Sequence, residues 1–463
     1  MEGYEHEHKE GEQHDHLGAA DASSSLSADS GSSTSGSTGS SVQEADFNAA
    51  LDDAFEAPKA PASSGSIDDH DHAPDTTGNS NPHVSQELLS SARGLDSSKT
   101  QIVKDLNTRI GRTGDFLDGG TGNDVVIGSR SKDLIMGTGG GFNVMTLGGG
   151  GDTVVLGKET TNKIFDFEKD DKFVLADGLT FDDIAIVKGN NPGKGGLDQP
   201  LDSENNVLIV DKTTNHILAA LTFADESAIT ESTFKLLGEG AVEKIDQNRF
   251  SNINIQDGGD GQLNGTKGSD RLAGGSGDDF LYVGNDGFKL NAMTSGEEFP
   301  FATDSPGEFT VNFELKDGNL KASGKYENAD GAPLFSQGET TIDPTATFNG
   351  GNAEALVEGF LRVPEDVEGN KITGLHMHFS TAGDDRGNFA DATVIRYFDV
   401  DPVDAKSGTI SGDFNLSPEE QAAFLAGNLY MNLHTNVDLD GDGKGGFANG
   451  EMRGNANKNV VRL

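Results

Sequence analysis

The chain has no cysteine, so neither a disulfide framework nor a thiolate metal site is available to it. Tryptophan is absent too. No apolar run approaches the roughly 18 residues that a membrane-spanning helix requires, which leaves no candidate span. Positive charge is scarce: 34 Lys and Arg face 77 Asp and Glu, for a formal net charge of −43. Such a polyanion repels nucleic-acid phosphates and anionic membrane surfaces, so nucleic acid is not an expected partner. Met1 to His16 lack the basic start and apolar core of a secretory signal peptide. Export by another route is expected, unless the sequence is not that of the full precursor.

What the chain does have is glycine, 63 residues of it, and carboxylate. The natural partners of so many carboxylates are cations, and Ca2+ in particular prefers hard oxygen ligands. The plainer alternative is that the acidity serves solubility alone.

The composition changes along the 463 residues in five steps. Residues 1–107 are rich in Ser, Gly, Asp, Glu and His and poor in large apolar side chains, which predicts a disordered tail. Two short helical patterns stand out within it, Phe47, Leu51 and Phe55 at four-residue spacing and a stretch from Val84 to Ala92. Glycine-rich blocks occupy 108–157 and 241–287. Between them, 158–240 alternates as a β-rich unit, for example in Lys172 to Leu175 and Asn206 to Val210. From 288 to 463, short strands separated by Gly, Asn, Asp and Pro suggest a β-sandwich or barrel. The expected fold is all-β: parallel β-roll blocks, an intervening β-unit and a C-terminal antiparallel domain.

The glycine blocks carry a nine-residue period. Units begin at Gly119, Gly128, Gly265 and Gly274, each with an Asp at the sixth position and an apolar residue at the eighth. Glycine permits positive φ, so the backbone can curl and turn carbonyl oxygens inward, while the Asp adds a charged oxygen at the same place. The residues after it form a short strand with Val126, Ile135, Leu272 or Leu281 facing inward. Stacked turns of this kind offer Ca2+ the six to eight oxygens it takes. A flexible glycine linker would show no fixed period. The unit at Gly137 departs from the pattern, with Phe142 where Asp belongs, and Gly258 to Gly261 lead to no sixth-position Asp.

These units resemble the RTX, or haemolysin-type, calcium-binding nonapeptide repeat. The resemblance implies a parallel β-roll with calcium between successive turns. It places ligand carboxylates at Asp124, Asp133, Asp270 and Asp279, and turn backbone at Gly119, Gly120, Gly122, Gly274, Gly275 and Gly277. Asp152 fits if one residue is inserted before it. Such proteins usually reach the cell surface or medium by type I secretion, which gives the expected location.

Three segments near the end resemble the CHRD (chordin-type) domain: Ile372 to Phe379 with its His-x-His, Leu425 to Thr435, and Gly450 to Gly454. The family implies a β-domain without a settled activity, here expected to contact a protein or surface-polysaccharide partner. His376 and His378 lie two apart on an expected strand and so share a face. With His434 on a neighbouring strand they would form a candidate Zn2+ or Cu2+ site. The alternative is that they make structural hydrogen bonds. Asp438, Asp440 and Asp442, followed by Gly443, have the spacing of the first half of an EF-hand loop. Position twelve is Asn449, and Glu451 beyond it is a candidate substitute, so a calcium-stapled loop or a solvated acidic turn is expected. Histidine pairs at His6 and His8, His14 and His16, and His70 and His72 suit transition-metal capture or an inert hydrophilic tail. No nucleophile, phosphate-loop or zinc-protease motif is found. A calcium-folded scaffold is therefore expected rather than an enzyme, and a metalloenzyme built on the three histidines is the alternative.

Overall fold

The computed structural model describes residues 82–191, 199–283, 288–295, 305–331, 374–379, 394–404, 406–435, 451–455 and 459–462. The helical pattern of Phe47, Leu51 and Phe55, the histidine pairs before residue 73, and Asp438, Asp440 and Asp442 lie outside the described residues.

Order begins earlier than the 107 boundary. A short helix, α1 (Gln86–Ser90), is capped by the Ser85 hydroxyl, and Val84 and Leu88 are buried against Leu208, Val210 and Ile217. Strands β1 (Arg93–Gly94) and β2 (Ile102–Val103) follow. The few apolar residues of 82–107 suffice because they complete a core supplied from elsewhere in the chain.

The first glycine block forms β3 (Phe116–Thr121), β4 (Val125–Ile127), β5 (Leu134–Gly137), β6 (Phe142–Thr146) and β7 (Thr153–Leu156). The coil then continues through β8 (Thr161–Ile164) and β9 (Lys172–Leu175), past the expected end of the block at 157. A meander of β10 (Ile184–Lys188), β11 (Asn206–Asp211) and β12 (Ile217–Thr222) and the strand β13 (Phe234–Leu237) come next. The second block supplies β14 (Asn252–Ile255), β15 (Gly261–Asn264), β16 (Asp270–Ser276) and β17 (Asp279–Tyr282).

The two blocks are one roll. One sheet runs β14-β16-β3-β5-β7-β9-β13-β2 and the other β1-β10-β11-β12-β8-β6-β4-β17-β15. The second block thus stacks on the first coil of the first, with Leu272 opposite Leu117 and Leu281 opposite Val126. Strands alternate between the two sheets at each half-turn, and all coil-to-coil pairings are parallel. The inward residues Leu117, Val126, Ile135, Met145, Val154, Ile164 and Phe173 form a continuous buried column. At one end the column is closed by β12, which pairs in parallel with β8 and antiparallel with β11. Ile135→Ala is expected to cost about 2–5 kcal/mol, read from urea unfolding, because the column leaves little room to collapse.

Both outer faces of the roll are covered. Val103, Leu106, Ile110, Ile245 and Phe250 pack on Phe116, Leu134, Met136 and Val174. The other face meets the C-terminal domain, a sandwich of two antiparallel sheets. Its strands are β18 (Phe288–Ser295), β19 (Glu308–Lys316), β20 (Asn319–Glu327), β21 (Leu375–Phe379), β22 (Val394–Tyr397), β23 (Asp399–Asp404), β24 (Ser407–Asn415), β25 (Leu429–Leu433), β26 (Met452–Asn455) and β27 (Asn459–Arg462). Their orders are β23-β24-β20-β19-β18-β27 and β22-β21-β25-β26. Strand β19 shows the expected alternation, with Phe309, Val311, Phe313 and Leu315 buried. Helix α2 (Pro418–Leu425), started by a Ser417–Glu420 capping box, packs against β4 and β6. Roll and sandwich share one apolar cluster that runs from Val125, Ile127 and Val144 through Phe165 and Phe379 to Met431.

Candidate calcium turns and the histidine face

Most half-turns of the roll end in a rung, a side-chain oxygen that accepts an amide N–H of the equivalent residue one coil away. On the edge entering the eight-stranded sheet, Asp270 N–H donates to Asp115 Oδ1 at 2.7 Å. Asp115 N–H donates to Asp133 at 2.8 Å, Asp133 N–H to Asp152 at 2.6 Å, and Asp152 N–H to Asp171 at 2.8 Å. On the opposite edge, Asp279 N–H donates to Asp124 Oδ1 at 3.0 Å and Asp124 N–H to Asn143 Oδ1 at 3.0 Å. Asn143 Nδ2 continues to Asn162 Oδ1 at 3.2 Å.

The spacing explains the irregular units. Asp115 and Asp133 are 18 residues apart, which is two nonapeptides. Asp133 to Asp152, Asp124 to Asn143 and Asn143 to Asn162 are each 19. The extra residue moves the rung from Phe142 to Asn143, and it is the insertion that Asp152 requires. Asp115, Asp171, Asn143 and Asn162 are therefore rungs that the nine-residue count passes over. Counting by coil rather than by unit would have found them.

The glycines hold the turns close. At Gly120 φ is 96°, and an added Cβ would run into the Gly275 carbonyl of the neighbouring coil. At Gly119 and Gly274 it would strike the carboxylates of Asp124 and Asp279. At Gly122 it would run into the Gly277 carbonyl, and at Gly277 into the backbone of Gly259 and Asp260 one coil further on. Gly120→Ala is expected to destabilise the protein by more than the roughly 1–2 kcal/mol that a left-handed backbone costs alone, measured by denaturant midpoint.

The five sixth-position carboxylates, all buried, divide into two kinds. Asp133 accepts from the Ser129 amide and hydroxyl at 2.6 and 3.0 Å. Asp270 accepts from the Thr266 amide and hydroxyl at 2.9 and 2.8 Å and from Asn252 at 3.0 Å. Both oxygens of each are therefore engaged by protein. By contrast, Asp124 Oδ2, Asp152 Oδ2 and both oxygens of Asp279 are buried with no hydrogen-bond partner. The Gly261 amide faces Asp279 without reaching hydrogen-bond geometry.

Burial pushes Asp124 up to about 7, and Asp279, Asp278 and Asp118 add to the rise. Burial likewise lifts Asp279 to about 6, with Asp260 and Asp278 contributing. Asp152 goes to about 10, through burial and then Asp133. A divalent cation relieves this cost directly, since it neutralises the charge and supplies the missing partner. Among the described residues no group of three or more His, Asp or Glu is set to share one metal. An ion in these turns would therefore draw on one or two carboxylates and on main-chain carbonyls, a donor set that suits Ca2+. The residues present fit that ion at Asp124, Asp279 and Asp152, and Asp133 and Asp270 act as internally satisfied rungs.

The C-terminal histidines are brought together. Strand β21 pairs with β25, and the register aligns His376 with Asn432 and His378 with Tyr430. Arg453 joins the same row opposite Asn432. All project from the face opposite Leu375, Met377 and Phe379, which are buried in the shared core. His434 follows β25, and its Nε2 lies 3.2 Å from Nε2 of His376, a distance that one neutral hydrogen bond accounts for. The His376 and His378 rings are 4.5 Å apart, and Tyr430 lies between His378 and the Arg453 guanidinium, which sits 3.6 Å from its ring centre. Glu451 accepts from Ser305, Asp330 and Gly331 and from the Thr435 hydroxyl.

Comparison with protein-family models, curated proteins and solved structures finds no match to the chain.

Proposed function

We propose that the chain is a calcium-binding structural or interaction protein, folded by Ca2+ in its glycine–aspartate turns and presenting a β-sandwich to a partner. One observation carries the reading. Buried carboxylate oxygens on Asp124, Asp152 and Asp279 lack any protein partner, in turns whose glycines let main-chain carbonyls of the adjacent coil approach closely. Leaving such oxygens uncompensated is costly, and a hard cation with six to eight oxygen ligands is the simplest remedy. The resemblance of the repeats to the RTX family supports the same ion, and that of the C-terminal segments to the CHRD family supports a binding role for the sandwich.

Calcium modules built from few carboxylates bind with Kd values of about 10⁻⁴ to 10⁻³ M, which suits a secreted or cell-surface setting and not a cytosol poor in calcium. The reading is of a scaffold and not of a catalyst. The histidine face then serves the sandwich through hydrogen bonds and ring stacking, and its Tyr430, Asn432 and Arg453 neighbours share that role.

Dialysis of metal-stripped protein against millimolar Ca2+ or Mg2+, followed by elemental analysis, tests the proposal. Retained calcium with little magnesium is expected, because Mg2+ demands a small octahedral shell that flexible carbonyl turns do not supply. Retention of neither ion, or of both equally, would contradict it.

A further inference from the structure

The junction between the two glycine blocks is made by segments 155 residues apart in the chain. No disulfide joins them, and docking a distant segment must overcome loop-closure entropy. On the edge entering the nine-stranded sheet, Asp279 and Asp124 hold equivalent positions on either side of this junction, and the Asp279 amide donates to Asp124 Oδ1. Both are buried, at 2% and 1% exposure, and three of their four oxygens lack a partner.

Beyond the junction the sixth-position rungs on the same edge are neutral, although Asp260 in the terminal turn accepts the Asp278 amide. On one side the rungs are Asn143 and Asn162, joined amide to carbonyl. On the other, the terminal turn has Gly261 in place of the sixth-position Asp, and the Gln256 amide fills it by donating to the carbonyls of Gly258 and Gly259. A side-chain N–H thus occupies the turn that Asp carboxylates enter elsewhere. On the opposite edge Asp270 N–H donates to Asp115 across the junction, and the Asp270 carboxylate is satisfied by Thr266 and Asn252.

We propose that a divalent cation held at Asp124 and Asp279 is the clasp that fastens residues 252–283 to the roll, and that the Asn-runged coils next to it stay assembled without an ion. The inference rests on the calcium reading above and adds where the ion acts. Loss of calcium then opens the junction first and leaves the coils from 134 to 175 in place.

Hydrogen–deuterium exchange on the full chain, with calcium binding followed by calorimetry on the same samples, tests this. In the wild-type protein, calcium at 100 times its Kd is expected to slow exchange in 252–283 by roughly a hundredfold, with much smaller changes in 134–146 and 153–175. The double substitution Asp124→Asn with Asp279→Asn extends the neutral ladder already present at Asn143. It is expected to fold, to lose one bound ion, and to make exchange in 252–283 insensitive to calcium. Asp133→Asn and Asp270→Asn, made singly, should leave the stoichiometry unchanged. Calcium binding to the wild type without protection of 252–283, or loss of an ion in either single variant, would overturn the clasp and leave the calcium reading standing. Absence of calcium binding to the wild type would overturn both. The wild-type comparison decides the question even if the double variant does not fold.

Discussion

Stripped of metal, the protein is expected to lose stability as pH rises from 4 to 8, and with calcium present the trend should reverse. The sign follows from the carboxyls that the fold pushes upward. Asp124 stands at about 7 in the folded chain against an ordinary 3.8, and Asp279 and Asp171 stand at about 6. Between the unfolded and folded values the native state holds protons that the unfolded state has released, so stability falls as pH climbs. The contribution is whole below pH 4. For Asp279 and Asp171 it is lost by about pH 6 and for Asp124 by about pH 7. Asp152, at about 10, is still losing stability at pH 8. A shift of about three units is worth roughly 4 kcal/mol for Asp124 alone. Calcium competes with the protons, so its affinity rises with pH and offsets the loss. Guanidinium unfolding at pH 5 and pH 8, with and without calcium, gives the comparison. Parallel pH profiles in the two conditions would show that these carboxylates do not meet the ion.

The second large effect is expected at the contact between roll and sandwich. Phe379 is buried in the sandwich sheet, and its ring lies 5.6 Å from that of Phe165 and 5.8 Å from that of Phe223. The Thr146 hydroxyl donates to the Ala422 carbonyl at 2.7 Å, and Asn428 Nδ2 donates to the Phe165 carbonyl at 2.8 Å. With one apolar cluster spanning both parts, the calcium-loaded protein should unfold in a single calorimetric transition. Phe379→Ala removes the ring that touches both sides and is expected to cost about 3–5 kcal/mol. It should split the transition into two, since the roll keeps its own inner column. A single transition that merely moves to lower temperature would mean that the parts are joined by more than this contact.

The two blocks show how far the sequence can be read. Gly119, Asp124, Gly274 and Asp279 announce turns, and Val126, Ile135, Leu272 and Leu281 announce an inward column, because glycine freedom and apolar period are local properties. Their union is not local. Nothing in Asp270 to Ser276 states that its neighbour is Phe116 to Thr121, since parallel pairing depends on which open edge meets which. The continuation of the roll through Asn162 and Asp171 is hidden for a different reason: a coil of 19 residues breaks a nine-residue count while keeping the stack. The difference between Asp133 and Asp124 is legible only in part. Ser129 and Thr266 stand four residues before their carboxylates, where a hydroxyl and an amide can satisfy them. Gly120 stands four before Asp124 with no hydroxyl to give. Spacing alone places His376 and His378 on one face, but only the pairing of β21 with β25 brings His376 to His434.

The central claim is that calcium completes the roll, and titration of the metal-stripped protein with calcium, read by calorimetry and far-ultraviolet circular dichroism together, tests it most directly. Saturable binding is expected, accompanied by a gain of β-signal that a chelator reverses. Binding heat indistinguishable from dilution, with an unchanged spectrum, would contradict the account and leave the glycine turns as ion-free connections.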